Sequence, residues 1–240
     1  MHLYRDEAFL FLPYHPDGTL LDVVNLFRAE PSGVMEEQLV MFFTIELLRT
    51  VESLHAKGVL HGDLKPDNCL LRLDSASTDH TLATHGGWSS RGIVLIDFGR
   101  SIDMKAFVPD IDYHGLAGTV HCLLFGKYIE TARCDQGGLG KTGRKYRIRE
   151  SLKRYWQTDL WGDCFDVLLN PGSHLEAEEA GKMPVLRSMR AVRERMEAWL
   201  EANCERAWAC ARSWADLRRM RGAASELDLG CSPRFSPIGW

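Results

Sequence analysis

His61-Gly62-Asp63-Leu64-Lys65-Pro66-Asp67-Asn68 is the stretch whose reading decides the fold, and Leu95-Ile96-Asp97-Phe98-Gly99 is its partner downstream. The first brings a carboxylate (Asp63), an ammonium (Lys65) and an amide (Asn68) close together in the chain. The second sets another carboxylate, Asp97, between an apolar run and a glycine. Phosphoryl transfer needs these groups: a carboxylate to orient the attacking hydroxyl, a cation beside the phosphate, and oxygen ligands for Mg²⁺. The pattern assigns the first task to Asp63, the second to Lys65 and the third to Asn68 with Asp97. Asn68 follows Asp63 by five positions, the spacing of the H-R-D-x-x-x-x-N pattern. Asp-Phe-Gly alone recurs by chance. The octet followed by it, each beside a strand-like apolar run, is specific. The bland reading, two unrelated polar turns, leaves carboxylates and an amide beside apolar strands without a reason.

The flanks read as mixed local structure. Ala8-Phe9-Leu10-Phe11-Leu12 is continuously apolar and predicts a buried strand. Pro13-Tyr14-His15-Pro16-Asp17-Gly18 is turn chemistry, and Leu20 to Phe27 suggests a short helix before the Pro31-Ser32-Gly33 break. Residues 35–57 predict a helix, with Glu36 and Glu37 in its first turn, an apolar stripe from Leu39 to His55, and Gly58 as the C′ stop. Cys69-Leu70-Leu71 and Ile93-Val94-Leu95-Ile96 predict short strands around a mobile polar loop, residues 73–91. A buried helix is expected from Asp112 through Phe125. Residues 135–154 form a basic, Gly-rich insert. Residues 185–221 carry apolar residues near a 3.6-residue period, and the tail 222–240 reads as flexible.

Composition narrows the classes. The chain has 240 residues, 45% of them hydrophobic, enough for one sizeable core. A net charge of −4 gives no general electrostatic case for nucleic acid. The seven cysteines form no C-x-x-C pair, which favours a reduced, intracellular setting. No apolar run is long enough to span a membrane, and the N-terminus is no secretory signal. Gly140-Lys141-Thr142 resembles the end of a phosphate-binding P-loop, but the required glycine at position 135 is Asp135. His114 and His121, seven apart, share a helix face without a third zinc ligand nearby. The basic residues from Lys141 to Arg154 read as a solvated insert.

The order of these signals resembles a protein kinase: a mainly α, α+β arrangement in which a large helical lobe carries short β-strands around its catalytic loop. His61-Gly62-Asp63, Asp97-Phe98-Gly99-Arg100-Ser101-Ile102-Asp103, Ile111-Asp112-Tyr113-His114-Gly115 and Thr119 to Gly126 narrow it. This set is similar to the Bub (budding uninhibited by benzimidazole) family of mitotic spindle-checkpoint serine/threonine kinases. The resemblance implies ATP and Mg²⁺ as cofactors and a protein Ser or Thr as acceptor. It implies checkpoint and kinetochore proteins as partners, and a nuclear or kinetochore location. It makes Asp63 the catalytic base and Lys65 the phosphate-contacting cation, with Asn68 and Asp97 as metal ligands. Leu12, Pro13, Tyr14 and His15 would meet the adenine edge and Leu70 would floor its pocket. His61 and Phe98 would stack, and Asp112 would brace the catalytic loop. Gly62 stands where many kinases carry an arginine that pairs with an activation-loop phosphate, so control by that phosphorylation is not expected.

Two departures shape the functional expectation. Before residue 8 there is no Gly-rich loop, no V-A-I-K-type lysine and no partner glutamate. Only twelve residues lie between Gly99 and Asp112, where kinases place an activation segment. Residues 1–18 then read as the last small-lobe strand and hinge, with most of the small lobe absent. Residues 19–221 read as the large lobe, with a shortened activation segment at 100–111. Such a chain is expected to be a weak kinase alone, and to expose apolar surface around Phe9, Phe11, Leu70 and Phe98. The alternative function is a non-catalytic pseudokinase or scaffold that binds checkpoint or kinetochore proteins.

Overall fold

The longest helix among the described residues, α2 (Glu37–Ala56), is the axis on which the rest is built. In the computed structural model of the protein, the described residues are 2–3, 8–9, 11–15, 17–73, 91–103, 110–134, 146–171 and 185–203. Leu39, Val40, Met41, Phe43, Leu47, Leu48 and Val51 of α2 are all buried. Residues facing several directions at once mark a helix enclosed by its neighbours. Gly58 ends it with φ +75°, and its N–H bonds the His55 carbonyl at 2.8 Å.

The strands explain how the two signal stretches meet. β1 (His2–Leu3) pairs with β2 (Ala8–Phe9). After α2, β3 (Val59–Leu60) leads into the octet, whose end is a 3₁₀ turn at Pro66–Asn68. β4 (Cys69–Leu73) and β5 (Arg91–Leu95) form an antiparallel ladder from Cys69↔Leu95 to Leu73↔Arg91. A 3₁₀ turn at Phe98–Arg100 follows, and β6 (Ile102–Asp103) returns to pair with β3, Leu60 opposite Ile102. One link runs from β3 to β4 and the other from β5 to β6. Because β3 pairs with β6 and β4 with β5, the two links must lie side by side. The Ile96 N–H donates to the Asn68 carbonyl at 3.0 Å and carries the β4–β5 ladder one step further.

Helices close the core around this frame. α1 (Leu20–Arg28) opens with a capping box. The Asp22 N–H donates to Thr19 Oγ1 at 3.2 Å, and the Thr19 N–H donates to Asp22 Oδ2 at 2.7 Å. The Leu71 N–H donates to the Gly18 carbonyl at 2.9 Å, which ties the start of α1 to β4. α3 (Asp110–Phe125) buries Tyr113, Leu116, Val120, Leu123 and Leu124. β7 (Thr131–Arg133) pairs with β8 (Tyr146–Ile148). α4 (Thr158–Leu169) packs between α3 and α5 (Val185–Ala202). The buried face of α5 is Met189, Val192, Met196 and Leu200, the expected helical spacing.

Several expectations need correction. The Ala8–Leu12 run is not one buried strand. Among its described residues Ala8 and Phe9 are strand, while Phe11 and Leu12 are irregular and 75% and 71% exposed. Glu37 does more than face the helix dipole: it accepts from the Gln157 N–H at 2.5 Å and from Trp161 Nε1 at 2.8 Å, fastening α2 to α4. Burial pushes its carboxyl up despite these bonds. α4 was legible in Leu160, Trp161, Cys164, Phe165 and Leu168, whose spacing is helical, yet it is not among the elements predicted above. His114 and His121 share a face of α3 but differ in fate. His114 is exposed near the start of the helix, whereas His121 is buried between Glu150 Oε2 (2.7 Å) and the Lys127 carbonyl (3.0 Å). Among the described residues no cluster of metal-ligating side chains forms. The bulk of the polar loop, residues 135–145 of the basic insert, the end of the long C-terminal segment and the tail lie outside the described residues.

Candidate active site

Asp112, in the first turn of α3, builds the site from beneath. It is fully buried. Its Oδ2 accepts from the His61 N–H and from His55 Nε2, each at 2.8 Å, and its Oδ1 accepts from the Gly62 N–H at 2.8 Å. Desolvation pushes the Asp112 carboxyl up. The His55 bond and the Gly62 and His61 N–H groups outweigh it and hold the carboxyl below its ordinary value. One buried carboxylate thereby fixes the backbone immediately before Asp63.

His61 joins the two links. Its Nδ1 accepts from the Asp63 N–H at 3.3 Å, so the ring proton is on Nε2, which donates to the Ile96 carbonyl at 3.0 Å. Its ring lies 4.8 Å from that of Phe98, centroid to centroid, as the resemblance implies. Ser101 Oγ donates to the His61 carbonyl at 3.3 Å.

Asp63 stands above this base. Lys65 Nζ and Asn68 Nδ2 both donate to its Oδ2, at 3.0 and 3.2 Å, and Asn68 Nδ2 also reaches the Asp63 carbonyl at 2.9 Å. On the other oxygen, Oδ1, Arg100 Nη1 lies at 3.6 Å. Desolvation pushes the carboxyl up, but the Lys65 bond and charge, the Arg100 charge and the Asn68 bond prevail and lower it. Asp63 is therefore ionised at neutral pH and able to accept a hydrogen bond from a hydroxyl.

Asp97 is the one non-glycine residue with positive φ among the described residues (φ 61°, ψ 62°). Asp tolerates this region better than most side chains, and such strain concentrates at functional sites. A Cβ on Gly99 would meet Asp97 Oδ1 at 3.3 Å, so the carboxylate folds over that glycine. Asn68 and Asp97 sit at the same end of the β4–β5 ladder. With Asn68 Nδ2 turned to Asp63, its Oδ1 is the end that remains to meet a cation. One amide oxygen and one carboxylate suit Mg²⁺, which takes few protein ligands and completes its shell with phosphate and water.

The remaining candidate residues lie in the segment before α1 and on β4. Leu12, Pro13 and Tyr14 are exposed, and His15 is half-buried, in an irregular segment that leads to Gly18. Leu70 is half-buried and forms an isolated bridge with Thr19, which sets it beside that segment. Of the residues expected to expose apolar surface, Phe98 is 47% and Phe11 75% exposed, Leu70 is half-buried, and the Phe9 side chain lies outside the described residues. Cys69, whose Sγ contacts the Lys65 carbonyl at 3.3 Å, is an inert packing group, its thiol pushed up to about 12 by burial.

Two contributors are not indicated by the motifs. Arg100 reaches Asp63 only because the Phe98–Arg100 turn lies against the octet. His55 reads as one apolar-face position of α2, yet it is a ligand of Asp112. Gly62 also has a steric reason to be glycine. Its φ is +78°, and a Cβ there would lie 2.5 Å from the Arg100 carbonyl oxygen. Gly62→Ala is expected to destabilise the protein by about 2 kcal/mol or more, from left-handed strain plus a backbone clash. An unchanged midpoint in thermal unfolding would contradict this packing.

Comparison with known proteins places the geometry. The protein kinase domain model matches residues 2–121. The spindle assembly checkpoint serine/threonine-protein kinase BUB1 of Saccharomyces cerevisiae is 39% identical, over 72% of this chain and 19% of its own length. Its namesake in Schizosaccharomyces pombe is 37% identical, over 83% of this chain and 22% of its length. The chain thus spans about a fifth of the length of these relatives. The crystal structure of the BubR1 kinase domain superimposes with a TM-score of 0.63 at 25% identity, covering 85% of this chain and 61% of that one. A catalytic loop braced from α3 and clamped between two short ladders, together with these likenesses, establishes that the chain belongs to the protein kinase family and is a homologue of the Bub1 spindle-checkpoint kinases.

Proposed function

We propose that the chain carries the phosphoryl-transfer centre of a spindle-checkpoint serine/threonine kinase and acts on a protein Ser or Thr hydroxyl. Residues 19–221 serve as the large lobe and residues 1–18 as the last small-lobe strand and hinge. Checkpoint or kinetochore proteins are its partners, in a nuclear or kinetochore setting. The observation that carries this reading is the Asp63 carboxylate, with Lys65 and Asn68 on one oxygen and Asp97 at the neighbouring ladder end.

Asp63 accepts the acceptor hydroxyl's hydrogen bond and aims its oxygen at the phosphorus. Lys65 holds positive charge beside the transferring group. Asn68 Oδ1 and the Asp97 carboxylate would hold Mg²⁺, and Leu12–His15 with Leu70 would hold adenine. When bound, Mg²⁺ offsets the negative charge of the phosphate oxygens.

The test is thermal unfolding with ATP and Mg²⁺. At about 100 times Kd, a specific ligand stabilises by roughly 2.7 kcal/mol, a shift of a few degrees for a domain of this size. Wild type is expected to shift with ATP and Mg²⁺ together, and Asp97→Asn is expected to lose the Mg²⁺-dependent part. No shift in wild type would favour the scaffold reading, to which the exposed Phe11, Leu12, Tyr14 and Phe98 would then belong.

A further inference from the structure

Arg100 sits at the reacting end of the site with no task in the mechanism above. Its backbone is fixed. The Arg100 carbonyl packs against Gly62, Ser101 Oγ is bonded to the His61 carbonyl, and Ile102 pairs with Leu60. Its side chain is 74% exposed and reaches Asp63 at 3.6 Å. A rigid base with a solvated charged head can exchange partners at little cost, since exposed ion pairs contribute little.

The two oxygens of Asp63 are not equivalent. Oδ2 already takes Lys65 and Asn68, whereas among the described residues Oδ1 faces Arg100. A substrate hydroxyl therefore approaches Oδ1, at roughly 3 Å. Arg100 must then give way or turn toward the substrate. With Nη1 at 3.6 Å from Oδ1, the guanidinium lies within roughly 6–7 Å of the target hydroxyl. Successive residues of an extended peptide are about 3.5 Å apart, so that reach covers one or two positions on either side.

We infer that Arg100 is a specificity-determining residue that leaves Asp63 when substrate enters and pairs with an acidic group, carboxylate or phosphate, within two residues of the target Ser or Thr. A guanidinium suits both anions through paired N–H donors. The inference rests on the phosphoryl-transfer reading of Asp63, but its test does not require transfer.

The experiment measures binding of fluorescein-labelled peptides to the full chain by anisotropy. Each peptide carries one Ser flanked within two positions by Glu, by phosphoserine or by Gln. Wild type is expected to bind the Glu and phosphoserine peptides about fivefold or more tightly than the Gln peptide. That ratio should fall to about one in Arg100→Ala and below one in Arg100→Glu, and survive in Arg154→Ala, an exposed arginine ahead of α4. A preference for phosphoserine alone would restrict the partner to phosphate, and one for Glu alone to carboxylate. A ratio near one in wild type, no measurable binding of any peptide, or an equal fall in Arg154→Ala would overturn the inference. A fivefold ratio without transfer from ATP would keep this inference and sink the activity. Transfer with a ratio of one would do the reverse.

Discussion

An Asp63→Asn chain is expected to move phosphate from radiolabelled ATP to a protein Ser or Thr about 10²–10⁴ times more slowly than wild type, the usual contribution of a positioned acid–base group. Asparagine keeps the shape but loses the charge and one of the two acceptor oxygens. In wild type Oδ2 is committed to Lys65 and Asn68, so a hydroxyl must use Oδ1. In the variant the single carbonyl oxygen cannot serve both sides, and its NH₂ would face either Lys65 and Asn68 or the incoming hydroxyl. Folding should barely register the change. The Asp63 side chain is 20% exposed and its ion pairs lie near the surface, where each contributes roughly 0–1 kcal/mol. Stabilisation by ATP with Mg²⁺ should also persist, because Asp97 and Asn68 rather than Asp63 are the proposed ligands. The assay needs only the ratio of the two rates, so a slow wild type does not spoil it. A variant rate within a factor of two of wild type would remove Asp63 from the chemistry.

Asp112→Ala is expected to have the largest effect on stability. It strands two backbone N–H groups and the His55 Nε2 donor in a fully buried place. Removing one member of a buried charged network typically costs about 3–5 kcal/mol, a large part of the roughly 5–15 kcal/mol that holds a domain together. His55 Nδ1 already lacks a hydrogen-bond partner, so the histidine has no second anchor on that side. Urea unfolding should show the loss as a lower midpoint, and a change under about 1 kcal/mol would contradict the bracing role. The same carboxylate sets a pH dependence. Its folded pKa is depressed, so its contribution is complete above the ordinary value of 3.8 and fades as pH falls below that value toward the folded pKa. Asp112→Asn, which keeps one acceptor oxygen, should start less stable and lose less between pH 4 and the acid limb than wild type. Parallel acid limbs would assign that acid sensitivity to another group.

Much of this was legible in the chain. The helical stripe of α2 appears in the sequence because a helix repeats its environment every few residues, and its stop at Gly58 is a local conformational rule. The candidate groups Asp63, Lys65, Asn68 and Asp97 were legible because their spacing is itself chemical. Other features were not. The Ala8–Leu12 run looks buried by composition, yet hydrophobicity does not state whether a partner surface exists. α4 was not predicted although its apolar residues keep a helical spacing, because the segment follows a basic, Gly-rich insert that reads as solvated. Gly62 reads as the loss of an arginine, whereas its left-handed backbone against the Arg100 carbonyl supplies a second reason.

Read along the chain alone, the residues set the spacing of the candidate groups and where the long helices run, because spacing and periodicity are properties of neighbours in sequence. Only the tertiary structure decides that Asp63 keeps Oδ1 toward Arg100, that His61 bonds Ile96 across 35 residues, and that Asp112 grips the loop from 51 residues away. Those contacts arise because β3 pairs with β6 while β4 pairs with β5, and a pairing between distant segments is selected by the energy of the whole packed core rather than by any stretch within it.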